Sequence, residues 1–390
     1  MTISEFNQNL NISYIDQNLP SPNNSLIIKH CITSIVLYTF IYIFLLTNPF
    51  FKNYFNQTMQ HIYTMALIIY TIFAPILYLK FKPKSIYKSH SIEIFNYLKR
   101  LTKIDWKNSD YQKVLDGFKP TYYESQSIML IFIKVFFGTL MTSFFINDYN
   151  HILQYLEICN NIFSNLINYD FFAIKNLIFQ HSTFFYKFAV LILFTVDVGC
   201  FAIGYLTEAT FLKNKIRAVE TSFLGIFFCL ICYPPFNSVT TAILGWNQND
   251  NTLPLTNNLI NITWILKLLG LIFLVIYVSA SLALGTKASN LTNRGIVSKF
   301  PYNIVRHPAY ISKNIFWLLT TIPLLFVDFN SSKFIFHEYL FNLLLILLSW
   351  FIWFGIYYFR AIFEEKFLMQ DPDYQEYAKK VKYRFIPYIM

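Results

Sequence analysis

Charge is what this 390-residue sequence has least of. Only 13% of its residues are Asp, Glu, Lys or Arg, about half of the roughly 25% found in an average soluble domain. That leaves too few polar groups to cover a water-facing surface. Glycine is also sparse, with 10 in the chain, which excludes collagen-like or Gly-rich low-complexity structure. There is no P-loop, no G-x-G-x-x-G and no G-x-S-x-G elbow. No spacing of His, Cys and carboxylates resembles a metal site. The five cysteines (Cys31, Cys159, Cys200, Cys229, Cys232) lie mostly inside apolar runs. Cys229 and Cys232 have redox or metal spacing but no second ligand pair, so they read as small packing side chains. The first 25 residues have no basic stretch feeding an apolar core, and no cleavable signal peptide is expected. The lack of an internal repeat weighs against a transporter built from inverted halves.

What the chain does have is apolar and aromatic. Hydrophobic residues make up 55% and aromatics 20%, with 43 Phe, 28 Tyr and 6 Trp. Disorder and a soluble enzyme are excluded together; the expected class is an all-α integral membrane protein. A bilayer core about 30 Å thick takes about 20 apolar residues per helix. Eight runs meet that measure: 26–46, 59–79, 127–146, 184–206, 221–244, 263–284, 310–327 and 339–358. Pro234-Pro235 interrupts the fifth, so a kink or half-helix is expected there.

The net charge of +10 would fit nucleic-acid binding, but its distribution points to a membrane. Segments 80–125, 207–217, 285–315 and 360–390 hold ten, three, five and six Lys/Arg, 24 of the 31. With eight spans all four fall on one side, which the positive-inside rule makes cytoplasmic, with both termini. Segment 92–101 mixes apolar and basic residues and suits a helix on an anionic inner leaflet or a solvated loop. Residues 171–179 are a similar interfacial element on the opposite side. The expected setting is the inner membrane of a bacterium.

Charges inside spans are costly and invite a functional reading. Lys134, Asp197 and Lys267 are the candidates. Lys134 and Asp197 are expected to pair between helices, with snorkelling of Lys134 as the other structural reading, or to line a substrate cavity, and Lys267, near a span end, to snorkel. His30 and His61 read as hydrogen-bonded helix residues.

The last hundred residues carry the chemistry. Pro308 suits the first turn of a helix, whose free N–H groups and positive dipole end then lie beside Arg306 and His307. That makes an electropositive corner for a carboxylate or other anion. One hairpin across the membrane returns Arg360, Glu364 and Glu365 to the same face. Two adjacent carboxylates suit an ammonium, so a zwitterionic, amino-acid-like ligand would satisfy both halves.

Arg306-His307-Pro308-Ala309-Tyr310, then Glu364-Glu365, then Tyr374-Gln375-Glu376-Tyr377 resemble an R-H-P-x-Y … E-E … Y-x-x-Y signature. It belongs to isoprenylcysteine carboxyl methyltransferases and the related phospholipid N-methyltransferases. The resemblance covers residues 285–390, and its ordered combination is specific although each piece is short. It divides the chain into a region of unassigned role, 1–260, and a methyltransferase-like membrane domain, 261–390. It implies S-adenosyl-L-methionine as methyl donor and a lipid or lipidated acceptor, an isoprenylcysteine-like carboxylate or a phospholipid amine. By the same resemblance Tyr302, His307, Pro308 and Tyr310 would line the cofactor pocket, and Glu364 and Glu365 would meet the methionine ammonium. Arg306 or Arg360 would steady the carboxylate or the Glu pair. Tyr377, with Lys380 or Arg384, would face the acceptor. The rival expectations are a transporter or channel and a methyltransferase-like scaffold without catalysis.

Overall fold

The computed structural model describes residues 20–104, 111–163, 181–208, 212–238, 257–322 and 336–389. Among them strand is limited to Ala218–Val219 and Thr292–Asn293; the rest of the regular structure is helix. Six helices are long and apolar enough to cross a membrane: α1 (Asn24–Thr47), α3 (Gln57–Phe81), α6 (Tyr122–Phe163), α7 (Ser182–Leu206), α9 (Asn257–Leu284) and α11 (Phe336–Leu368). Shorter helices are α2 (Pro49–Lys52), α4 (His90–Leu101), α5 (Tyr111–Phe118), α8 (Phe223–Leu230), α10 (Pro308–Thr321) and α12 (Pro372–Lys380). The long helices turn large apolar side chains outward, as Phe40 (65% exposed) and Met65 (63%) illustrate. That is the surface a hydrocarbon solvent selects.

Two of the eight expected spans are described only in part. Among its described residues the run 221–244 is helical over the eight residues of α8 and again at 237–238, and Ser222 caps α8 by accepting from the Gly225 N–H at 3.2 Å. The helix ends before Pro234-Pro235, because proline cannot supply the N–H that would continue it. The run 310–327 is helical over the 14 residues of α10, about 21 Å at 1.5 Å per residue. Residues 239–244 and 323–327, which complete these runs, lie outside the described residues, as do 171–179.

The chain forms two compact units, one reaching Ser143 and including Ile216–Thr221, the other holding Phe144–Lys215 and Ser222–Met390. The boundary falls inside α6. In the first unit α1 and α3 form an antiparallel hairpin, with Tyr42 and Thr64 sharing a 2.9 Å hydrogen bond and His30 meeting the Tyr78 ring edge-on. Asparagine does local work here: Asn23, Asn48 and Asn56 each accept from the first backbone N–H groups of α1, α2 and α3. Helix α4 packs on α1 through a hydroxyl cluster in which His30 Nδ1 lies 2.7 Å from Ser89 Oγ and Ser91 bonds Thr33 and Ser34. A capping box opens α6. The Glu124 carboxylate accepts from the Thr121 N–H at 2.7 Å, the Thr121 hydroxyl accepts from the Glu124 N–H at 3.3 Å, and Arg100 pairs with the same carboxylate.

In the second unit α7 and α9 run parallel. Tyr186 meets Trp264, Asp197 meets Tyr277 and Ser281, and Asn214, beyond the end of α7, donates to the Thr286 carbonyl. Helix α10 is antiparallel to α9, and α11 antiparallel to α10, through Tyr310–Tyr357 and Trp317–Trp353 ring contacts. Leu274, Tyr277, Val278, Phe316, Trp317, Trp353, Ile356 and Tyr357 form their common core. Without water to expel, this packing rests on shape, and Gly204 shows how close it is. A Cβ there would lie 1.9 Å from the Ala288 carbonyl oxygen. Asp197 is satisfied within this unit by the Tyr277 and Ser281 hydroxyls. Lys267 does not snorkel. It is 4% exposed, and its ammonium sits 5.1 Å from the ring centroids of both Tyr186 and Trp264.

Candidate functional site

The C-terminal ends of α7, α9 and α11 and the start of α10 gather at one end of the second unit. Residues 212–215, 285–315 and 360–389 therefore meet: Arg294 donates to the Asn214 carbonyl at 2.8 Å, and Arg306 pairs with Glu365 at 2.8 Å. Pro308 occupies the first turn of α10 and His307 precedes it, so the chain enters the helix with no N–H lost. The tail after α12 is strapped beside this entry. The Arg306 and His307 N–H groups donate to the Tyr383 and Arg384 carbonyls, both at 2.9 Å.

Glu365 is the centre of the strap. Its carboxylate, 5% exposed, accepts from Arg306 Nε and Nη2 (2.8 and 3.3 Å), His307 Nε2 (3.0 Å) and Arg384 Nε and Nη2 (3.1 and 2.8 Å). Three cationic or N–H-donating side chains converge on one buried anion, and the pairing holds the Arg384 guanidinium above its usual range. Glu364, one residue earlier, points elsewhere. It is 42% exposed at the side chain, accepts from the Tyr310 hydroxyl at 2.5 Å, and lies 3.9 Å from His307 Nδ1.

Beside the strap is a cavity of about 160 Å³. Of the residues expected from the sequence, Tyr302, Arg306, His307 and Tyr310 line it, together with Arg360, Glu364 and Tyr377. Pro308, Glu365, Lys380 and Arg384 do not. Pro308 and Glu365 support the wall from behind. Arg384, expected to face an acceptor, is committed to Glu365. Lys380 is exposed near the end of α12. Tyr377 donates to the Tyr302 carbonyl at 2.7 Å, and burial pushes both phenols above their usual range, so both stay protonated donors.

Arg360 and Glu364 sit four residues apart on α11 and so share one face of the helix. Arg360 is 7% exposed, donates to Asn290 Oδ1 at 2.7 Å, and lies 5.1 Å from the Tyr310 ring centroid. Among the described residues it has no carboxylate within ion-pair distance. Among the described residues Glu364 is the one carboxylate that lines the cavity, with Lys287, Arg294, Arg306, Lys313 and Arg360 also on its wall. Arg306 is committed to Glu365 behind the wall, so Arg360 and Glu364 are left as an opposite-charge couple on one stretch of the lining.

Several lining residues escaped the sequence reading. Asn290 couples Arg360 to the Tyr233 hydroxyl at 2.9 Å, and Asn293 bonds the Asp371 cap of α12 at 2.7 Å. Burial lowers the Arg294 guanidinium pKa, and the loop answers with acceptors from Ser289 and Asn214. These are loop polar residues with no periodicity to mark them. Lys313 did carry a signal, a charge inside an apolar run, and the structure places it on the cavity wall. Comparison of the chain with protein-family models, with curated proteins and with solved structures finds no match.

Proposed function

We propose that the chain is an integral membrane S-adenosylmethionine-dependent methyltransferase acting on a lipophilic acceptor. The observation that carries this reading is the convergence of three sequence-distant pieces, Arg306-His307-Pro308-Ala309-Tyr310, Glu364-Glu365 and Tyr374 to Tyr377, around one cavity. The donor set fits the cofactor's amino-acid end. Glu364 would take the ammonium and Arg360, one turn away, the carboxylate. Glu365 would act indirectly, by fixing Arg306 and His307 on the wall.

The bound donor would supply an already activated methyl group, so no protein nucleophile is required. The chain's own task is alignment and exclusion of water. The phenols of Tyr302 and Tyr377 stay protonated, and the tail strap closes the wall next to His307. For an acceptor entering from the bilayer, the apolar flanks of α9, α10 and α11 offer the approach.

An eight-crossing topology with both termini on the cytoplasmic side is part of the proposal. Parallel α7 and α9 support it, since two consecutive long helices that start at the same end imply an odd number of crossings between them. The Arg306–Glu365 pair likewise sets the start of α10 beside the C-terminal end of antiparallel α11.

Isothermal titration of S-adenosylmethionine into the detergent-purified protein tests the donor site. Wild type should bind, and Glu364→Gln should bind at least tenfold more weakly, the loss of one partner of a desolvated ion pair. Absence of binding to wild type, or equal binding by both, would remove the donor from this cavity.

A further inference from the structure

Lys313 is a cation the donor site does not use. It lies on α10, five residues beyond Pro308, about 7.5 Å deeper along the helix. Its ammonium rests 5.1 Å from the Tyr277 ring centroid and 5.0 Å from that of Trp317, and the side chain lines the cavity. Among the described residues no carboxylate lies within ion-pair distance of it. The hydroxyls around it are engaged: those of Tyr277 and Ser281 both donate to Asp197, behind the wall. Asp197 supplies a compensating charge at longer range, while Arg360 stands on the side toward α11.

An ammonium has three donors and no acceptor. Two aromatic faces engage one side of Lys313 and leave the side facing the cavity to an oxygen ligand. Water could serve, but Lys313 and Arg360 both line the cavity without a carboxylate at ion-pair distance among the described residues, which favours an anion. A freely soluble anion gains little from so deep a position. One carried on an apolar tail keeps the tail in the bilayer while its head reaches inward.

We propose that Lys313 anchors the anionic oxyacid head group, phosphate or carboxylate, of an amphiphile entering from the membrane. This rests on the methyltransferase reading only for the ligand's role as methyl acceptor. The anion subsite stands or falls without it.

Binding of four probes to the full-length protein in maltoside micelles, measured calorimetrically, decides the matter. The probes are dodecyl phosphate, dodecanoate, dodecyltrimethylammonium and inorganic phosphate. Dodecyl phosphate or dodecanoate should bind wild type at least tenfold more tightly than the ammonium amphiphile, and whichever head group binds better identifies the source. Inorganic phosphate should bind at least tenfold more weakly than its dodecyl ester. Lys313→Met should lose at least tenfold in affinity for the anionic amphiphile, while Lys313→Arg retains most of it and the surface variant Lys99→Gln matches wild type. S-adenosylmethionine affinity should be unchanged in Lys313→Arg, so failure of the donor site and failure of this subsite give separate signatures. Preference for the ammonium amphiphile, equal binding of inorganic phosphate, or wild-type affinity in Lys313→Met would each overturn the proposal. If Lys313→Met does not fold, wild-type probe selectivity and retention in Lys313→Arg still decide it.

Discussion

Glu365→Gln should destabilise the protein by about 3 kcal/mol, and the magnitude follows from the strap. The carboxylate accepts five hydrogen bonds from Arg306, His307 and Arg384 while 5% exposed. A glutamine amide keeps one acceptor oxygen and turns an NH₂ toward guanidinium donors, so at least two charge-assisted bonds become donor–donor oppositions. Each such bond contributes about 1.5–3 kcal/mol, and breaking a buried ion pair costs about 3–5 kcal/mol. Relief pulls the figure to the low end. The Arg384 side chain is a quarter exposed and recovers water, and Arg306 keeps the Val381 and Lys382 carbonyls. Against a total of about 5–15 kcal/mol, a 3 kcal/mol loss is conspicuous in a detergent or thermal unfolding curve followed by near-UV circular dichroism. Glu364→Gln is the control. Its side chain is 42% exposed and holds one hydroxyl, so it should lose less than about 1 kcal/mol. Coincident midpoints for the two variants would refute the assignment of support to Glu365 and of ligand contact to Glu364.

Two further comparisons test packing and the tail. Gly204→Ala places a Cβ 1.9 Å from the Ala288 oxygen and should cost about 3 kcal/mol or more by forcing α7 from its neighbour, whereas Gly355→Ala, with nothing within 4 Å, should gain up to about 1 kcal/mol. Equal midpoints in thermal unfolding would contradict the close approach. Arg384→Gln should lower the unfolding midpoint because it strips one cation from Glu365, while Lys380→Gln, exposed on α12, should leave it unchanged. A larger effect at Lys380 would reverse the roles given to these two basic residues.

The class of protein was legible in composition, because a chain with 13% charged residues cannot solvate a folded surface. The six long helices were legible for the same reason. Runs such as 26–46 or 59–79 have nowhere to put an apolar side chain except lipid or core, so length and hydropathy suffice to place them. The shorter pieces were not. Hydropathy reads 221–244 as continuous, yet α8 stops at Leu230, because helix length there depends on backbone donors and prolines rather than on polarity.

Proximity was decided by the fold. The sequence places Arg306, Glu364 and Glu365 on one membrane face, since the hairpin between them has to return. It cannot say that adjacent Glu364 and Glu365 diverge. On a helix successive residues project about 100° apart, so one carboxylate enters the cavity and the other is buried under Arg306, His307 and Arg384. Nor could spacing find Lys313 beside Tyr277, or Asp197 bonded to Tyr277 and Ser281, contacts that span 36 to 84 positions. Burial is set by a residue's own chemistry and is written locally. Partnership between polar groups depends on which helices pack and in which direction, and that information is distributed over the whole chain.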